Sequence, residues 1–191
     1  MRKNILLLNA NPKTESFARA LADAYEIEAR EQFTVHRLNL SDMEFDPNLA
    51  AGYDAIQPLE PGLKAFQRQL AGADHLVLIA PIWWGGLPAQ LKGFIDRTFL
   101  PGFAFQFEGD SPEPVPLLKG KTARIILTMD APAEMLAEQA EPVLAQLDRF
   151  TLQFCGFSPA ETTLLGSVIL STETQRQLWL KDIQALGRQG L

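Results

Sequence analysis

The chain has 191 residues, of which 47% are hydrophobic and 21% are charged, a composition typical of a compact soluble protein. Its net charge is −6 and it has no basic run, so it lacks the electrostatic footprint of a nucleic-acid-binding protein. No stretch approaches the roughly 18–20 apolar residues of a membrane span, and stable membrane insertion is not expected. With a single cysteine, Cys155, and two histidines, neither an internal disulfide nor a zinc site is expected. We therefore expect a cytoplasmic protein.

Apolar runs of strand length alternate with patterns of helical spacing along the chain. The predicted elements, in chain order, are a strand over 3–10, a helix over 16–30, a strand over 33–40, a helix marked by Leu63, Phe66 and Leu70, a strand over 75–81, a helix from Pro88 to Phe99, a strand over 123–129, a mostly helical segment over 134–155, a weaker strand over 160–167, and a helix from Thr172 to a C-cap at Gly187. This alternation favours parallel strands joined by right-handed crossovers.

The strands predict a specific architecture and a place to look for a ligand. Ile5–Leu8 and Leu76–Ala80 are continuously apolar, as parallel strands buried on both faces are. We predict an α/β fold, a flavodoxin-like three-layer sandwich with a five-stranded parallel sheet of order 2-1-3-4-5, forming one domain over 1–191. Ligands of such sheets bind beyond the carboxyl ends of the strands at the topological switch point. The loops to examine are 9–16, 81–87 and 128–133.

The first of these loops, NANPKTESF, leads into the first predicted helix and contains Asn11, Lys13, Thr14 and Ser16. A helix N-terminus presents free N–H groups and a partial positive charge, so it binds phosphate without many basic residues. The alternative is that Thr14 or Ser16 merely caps the helix. The loop has neither G-x-G-x-x-G nor G-x-x-x-x-G-K-[ST], which argues against a nicotinamide Rossmann site and a P-loop.

The second loop places Trp83 and Trp84 directly after a buried strand and follows them with Gly85 and Gly86. Aromatic walls beside glycines make a flat slot whose backbone amides can face a planar ring, and isoalloxazine suits such a slot. The alternative is that both tryptophans are core residues that cover the end of the sheet.

Several segments together resemble the NAD(P)H:quinone oxidoreductase family of flavodoxin-like flavoproteins, in order and over nearly the whole chain. The most specific, LIAPIWWGGLPAQLKGFIDRTF, fits P-x-x-W-x-x-x-P-A-x-L-K-G-x-x-D/E-R; others are NANPKTESFARALADAY, GFAFQF and LQFCGF. The resemblance implies that one loop lies along the flavin, through Pro81, Ile82, Trp83 and Trp84. It implies that another holds the phosphate end of the flavin, through Asn11, Ser16, Phe17 and Ala18.

Two departures from the family pattern affect the expected site. The family often has Phe or Tyr where this chain has Gly85, so we expect a wider pocket over the flavin ring. After the fourth strand the family often has Thr-Thr-Gly-Gly followed by a Tyr and a His, whereas this chain reads TMDAPAEML. Thr128, Met129 and Asp130 are expected to line the ring edge through backbone groups, although Asp130 has the alternative role of a helix cap. No catalytic side chain is assigned.

The resemblance implies a flavin-dependent NAD(P)H oxidoreductase that reduces quinones or related small acceptors by a two-electron ping-pong mechanism. It leaves open FAD or FMN, NADH or NADPH, and the physiological acceptor. It also implies a homodimer, in which the long hairpin-like segment 101–121 reaches toward the partner subunit and helps to wall the active site. The alternatives are a flavodoxin-type electron carrier and a quinone-reductase-like regulatory subunit of a membrane transporter.

Overall fold

A parallel sheet forms the centre of the protein in a computed structural model that describes residues 2–109 and 111–191; Met1 and Asp110 lie outside the described residues. Its strands are β1 (Asn4–Asn9), β2 (Thr34–Asn39), β3 (His75–Pro81), β6 (Thr122–Thr128) and β7 (Glu161–Leu165), in the order β2-β1-β3-β6-β7. The two short strands β4 (Phe105–Phe107) and β5 (Pro114–Pro116) pair with each other as a separate antiparallel hairpin. Because this hairpin stands apart from the main sheet, the predicted order 2-1-3-4-5 is confirmed.

Helices cover both faces of the sheet. They are α1 (Phe17–Gln32), α2 (Pro61–Gly72), α3 (Ala89–Thr98), α4 (Leu136–Leu144) and α5 (Glu173–Gln189), and a π-helical stretch over Ala145–Gln153 continues α4. One buried cluster lies between the sheet and α1 and α5, and the other lies between the sheet and α2, α3 and α4. Within the described part of the chain, no helix combines the length and the apolar character needed to cross a membrane.

Burial on both faces explains the continuous apolar runs of the central strands. All seven residues of β3 are buried, and five of the six in β1 are. On one face, α5 approaches α1 so closely that a Cβ on Gly187 would lie 2.4 Å from the carbonyl oxygen of Tyr25. The prediction of Gly187 as the C-cap of α5 is wrong, because Gly190, with φ of 67°, occupies that position. Gly187 lies inside the helix, where this close contact requires glycine.

A fully buried arginine fixes the long loop between β2 and α2. Arg97 on α3 places Nη2 2.9 Å from both Glu60 Oε2 and the carbonyl oxygen of Pro58, and its Nη1 donates to the carbonyl oxygen of Asp46. Because Arg97 is fully buried, removing Glu60 would leave a buried charge uncompensated and would destabilise the fold. These contacts of Arg97 hold the loop, with its exposed Tyr53, against α3.

A buried histidine lies at the amino end of the sheet, opposite the carboxyl ends of the strands. His75 Nδ1 lies 2.7 Å from Thr122 Oγ1, and among the described residues its buried Nε2 has no hydrogen-bond partner. Burial, together with the nearby positive charges of Lys3 and Arg124, lowers the pKa of His75 from its ordinary value of 6.5 to about 3. The folded protein therefore holds His75 neutral at moderately acidic pH.

We expect the free energy of unfolding to fall as the pH falls below about 6.5. Below that value the unfolded chain binds a proton at His75 while the folded chain does not until about pH 3, so the loss attributable to this residue is roughly 2 kcal/mol at pH 5. Urea titrations between pH 7.5 and 4.5 measure it. His75→Asn should flatten this part of the profile, while His36→Asn, at an exposed position, should not. Equal slopes in all three proteins would contradict the assignment.

Candidate functional site

Two adjoining cavities open at the carboxyl edge of the sheet, where β1, β3 and β6 end. The first, which we term the helix-end cavity, has a volume of about 280 Å³ and lies beside the N-terminus of α1. The second, the tryptophan cavity, has a volume of about 750 Å³. The twelve site residues predicted from the sequence all line one or both of them: Asn11, Ser16, Phe17, Ala18, Pro81, Ile82, Trp83, Trp84, Gly85, Thr128, Met129 and Asp130.

Side-chain acceptors shape the loop between β1 and α1. Asn11 Oδ1 accepts a hydrogen bond from the amide of Lys13 at 2.9 Å, and Ser16 Oγ accepts one from the amide of Arg19 at 3.3 Å. The alternative role of Ser16 as the N-cap of α1 is therefore real. The cap leaves the amides of Phe17 and Ala18 without acceptors in the described part of the chain, at the positive end of a 16-residue helix. This end of the cavity suits an anion.

The two tryptophans belong to a tight turn. The amide of Trp83 donates a hydrogen bond to the carbonyl oxygen of Gly86 at 3.0 Å, and the amide of Gly86 donates one to the carbonyl oxygen of Trp83 at 3.0 Å. Between them, Trp84 has φ of 53° and Gly85 has φ of 68°, the geometry of a type I′ turn. A bulky residue with positive φ is a conformational outlier, and here Trp84 is also fully exposed. The alternative that both tryptophans are core residues is wrong.

The turn also explains Gly85. With φ of 68°, this position favours glycine whatever the surrounding space, and a Cβ added there would meet no atom within 4 Å. The turn therefore accounts for the departure from the aromatic residue that the family often has. The open space next to Trp84 is a consequence of the same geometry.

The loop after β6 is held by the loop after β7. Asp130 Oδ1 accepts a hydrogen bond from the amide of Ile169 at 2.8 Å. The alternative role of Asp130 as a helix cap is wrong, because the helical segments that follow have Pro132 and Met135 at their N-cap positions. The carbonyl oxygens of Met129 and Ala131 accept further bonds from the 166–171 loop. No acceptor within residues 2–109 and 111–191 takes the amides of Asp130 or Ala131. These two amides are available to a ligand.

Sequence reasoning missed part of the lining. Val168 and Ile169, from the loop after β7, close one side of the helix-end cavity, and Gln139 on α4 lines the tryptophan cavity. The sequence feature that could have pointed to the loop after β7 is Gly166. The structure shows why glycine is needed there, because a Cβ would lie 2.3 Å from Leu136 Cδ2 and 2.6 Å from the carbonyl oxygen of Ala131. A glycine forced by such close packing marks where the loop meets the site.

A protein-family model described as "Flavodoxin-like fold" matches residues 3–186. The chain belongs to this flavodoxin-like family. An uncharacterized NAD(P)H oxidoreductase of Haemophilus influenzae is 29% identical over 93% of this chain and 91% of its own length. Ribosyldihydronicotinamide dehydrogenase [quinone] of Mus musculus is 28% identical over 93% of this chain and 87% of its own.

A solved structure agrees with these sequence comparisons at the level of the fold. The NAD(P)H:quinone oxidoreductase from Methanothermobacter marburgensis superposes with a TM-score of 0.81 at 23% identity, covering 98% of both chains. The resemblance to quinone oxidoreductases drawn from the sequence is confirmed, as is the flavodoxin-like fold.

The donor set of this flavodoxin-like chain fits a flavin. Free amides at the start of α1 and the side chain of Lys13 face one cavity, where a phosphate would be held. The amides of Asp130 and Ala131 lie near the junction with the other cavity, where ring oxygens and nitrogens would accept from them. Trp83 lines both cavities and is about half exposed. An apolar wall, free amide donors and an anion-binding helix end are the three features that a phosphorylated isoalloxazine requires.

We expect Gly85→Ala to lower the free energy of unfolding by about 1 kcal/mol, because it forces a Cβ into a left-handed backbone conformation. Gly86→Ala is the matched control, since Gly86 lies outside the positive-φ region and its added Cβ would meet only the Trp83 carbonyl oxygen, at 3.8 Å. Urea denaturation of the three proteins measures the difference. Equal destabilisation by the two substitutions would contradict the assignment of a type I′ turn.

Proposed function

We propose that this chain is a flavin-dependent NAD(P)H oxidoreductase that reduces quinones or related acceptors. The observation that carries the proposal is the junction of the two cavities, where an anion-binding helix end, free backbone amides and an exposed aromatic wall adjoin. The curated relatives carry names of the same chemistry, NAD(P)H oxidoreductase and ribosyldihydronicotinamide dehydrogenase [quinone]. A bound flavin would supply the two-electron chemistry, accepting hydride from one ligand and passing it to the next.

The residues of the chain have three tasks in this proposal. The N-terminus of α1, with Lys13 and the Ser16 hydroxyl, binds the phosphate of the cofactor. Trp83 covers part of the ring and separates it from solvent. The amides of Asp130 and Ala131 hold the ring edge where negative charge develops on reduction, a task for which preorganised backbone donors suffice. The chain therefore needs no counterpart of the Tyr and His that the family often carries after the fourth strand.

The size of the tryptophan cavity favours an enzyme over a flavodoxin-type electron carrier. An electron carrier needs only an exposed ring edge, whereas a ping-pong enzyme must admit a donor and an acceptor in turn to the same face of the ring. The volume of about 750 Å³ falls within the range of sites that bind small molecules. The Trp84–Gly85 turn keeps this volume open on one side.

We further propose that the protein is a homodimer. Support comes from an aromatic groove of about 670 Å³ between α3, the β4–β5 hairpin and the π-helical stretch. Its lining includes the exposed rings of Tyr53, Phe107, Phe150 and Phe154. Contiguous exposed aromatics mark interaction surfaces, and this groove includes part of the 101–121 segment that the family resemblance directs toward a partner subunit.

The proposed location is the cytoplasm, consistent with one free, buried cysteine.

Reconstitution tests the flavin proposal directly. The purified apoprotein should quench the fluorescence of FMN or FAD at micromolar concentrations with one flavin bound per chain, and NADPH or NADH should bleach the bound flavin in a stopped-flow experiment. A protein that binds neither flavin would overturn the proposal. A protein that binds flavin but is reduced neither by these donors nor by a ribosyldihydronicotinamide, the donor in the name of the Mus musculus relative, would identify an electron carrier.

The contribution of Ser16 can be separated from its capping role. We expect Ser16→Ala to weaken FMN binding by about 1 kcal/mol, the worth of one ordinary hydrogen bond, while riboflavin, which lacks the phosphate, binds as before. Fluorescence titration with both ligands measures the two affinities. Equal losses for FMN and riboflavin would show that the hydroxyl serves only as the N-cap of α1.

Light scattering tests the homodimer. We expect a mass of about twice the 21.2 kDa of the chain, and we expect Phe150→Asp to shift it toward the monomer, because it places a charge on the aromatic surface. Leu178→Asp, at a half-exposed position on α5 away from the groove, is the matched control. A monomer at every working concentration would contradict the proposal.

A further inference from the structure

Gln139 occupies a distinctive position in the tryptophan cavity. It precedes Ala140 on α4, and both Ala140 and Val143 are buried against the sheet. Because successive helix residues point about 100° apart, the side chain of Gln139 emerges at the rim of the buried face, where it is half-buried and lines the cavity. The side-chain carboxamide of Gln139 makes no hydrogen bond with any described residue. A rim position in an open cavity leaves this amide free for a ligand.

Among the other donors that line the cavity, the amides of Asp130 and Ala131 are assigned above to the ring edge, and each indole carries a single N–H group. The indoles of Trp83 and Trp84 contribute mainly ring surface. Asp130 is the one titratable side chain among the nine lining residues, and its Oδ1 already accepts the amide of Ile169 at 2.8 Å. A carboxylate, moreover, accepts hydrogen bonds and repels the oxygen of a carbonyl. A carboxamide donates two N–H groups and carries no charge, which matches the carbonyl oxygen of a neutral acceptor.

We propose that Gln139 orients the acceptor by donating a hydrogen bond to its carbonyl oxygen, and that water supplies the proton of the reaction. The proposal rests on the oxidoreductase function proposed above and names the residue that fixes its acceptor. In the overall reaction, NAD(P)H, a quinone and one proton give NAD(P)⁺ and a hydroquinone. The hydride brings two electrons and one hydrogen to the quinone, and the second hydrogen comes from solvent.

Water can supply that proton because the cavity is large enough to hold it and because Gln139 cannot act as an acid. A carboxamide cannot release a proton at neutral pH, so Gln139 can orient but not act as an acid. A cavity of about 750 Å³ holds an acceptor together with water molecules, each of which occupies about 30 Å³ in the liquid. The shape of the pH profile of acceptor reduction should therefore be the same in Gln139→Ala as in the parent protein.

Binding and kinetics test this role together. The oxidised holoprotein is titrated with duroquinone, which cannot react with oxidised flavin, and the dissociation constant is read from the flavin absorbance. We expect Gln139→Ala to raise this constant and the duroquinone KM about fivefold, the effect of one neutral hydrogen bond. The stopped-flow rate of flavin reduction by NADPH is measured alongside, so that the donor half-reaction is read separately from acceptor binding. Gln146→Ala is the matched control, because Gln146 lies on the following π-helical stretch and does not line the tryptophan cavity.

A pH profile separates an orienting role from a structural one. Gln139→His should change the pH profile of duroquinone binding to the oxidised holoprotein near the ordinary histidine pKa of about 6.5, whereas Gln139→Ala should weaken binding equally at every pH. Unchanged duroquinone binding in Gln139→Ala, or a pH profile of duroquinone binding that Gln139→His leaves unaltered, would overturn the proposal. These outcomes differ from failure of the proposed function, in which the protein would bind no flavin or would not be reduced by NADPH.

Discussion

The parallel register of the sheet is the constraint on which the rest of the site depends. Asn9 of β1 pairs with Ile79 of β3, and Pro81 of β3 pairs with Thr128 of β6. Three strands therefore end at one edge, and their loops meet there although the last residues of β1 and β6, Asn9 and Thr128, are 119 positions apart (128 − 9). The apolar faces that fix this register, buried on both sides by helices, therefore also bring together the loops that we propose hold the phosphate and the ring of the flavin.

Local hydrogen bonds and a tight turn then give each of these loops its shape. The loop after β1 is ordered by Asn11 and Ser16, the loop after β3 by a two-residue turn, and the loop after β6 by the contact between Asp130 and the amide of Ile169. The turn stores strain, because Trp84 adopts a left-handed conformation with its side chain in solvent. Backbone outliers of this kind concentrate at functional sites, and this one lines the cavity proposed to receive the donor and the acceptor.

Much of this arrangement was predictable, because alternating apolar runs fix the strands and helices, and the sheet order then places the three loops together. What the sequence did not reveal depends on tertiary contact. Periodicity carries no information on the turn conformation of Trp84, on the π-helical continuation of α4, or on the approach of Ile169 to Asp130. Gly187 shows the same limit: its spacing suited a C-cap, but its actual role is a close crossing with Tyr25 that only the packed helices define.

A crystal structure of the flavin-loaded protein tests the central claim most directly. We predict that the phosphate accepts hydrogen bonds from the amides of Phe17 and Ala18, that the ring edge accepts them from the amides of Asp130 and Ala131, and that the open face of the ring borders the tryptophan cavity. A flavin bound elsewhere, or one whose phosphate does not contact the N-terminus of α1, would contradict the account.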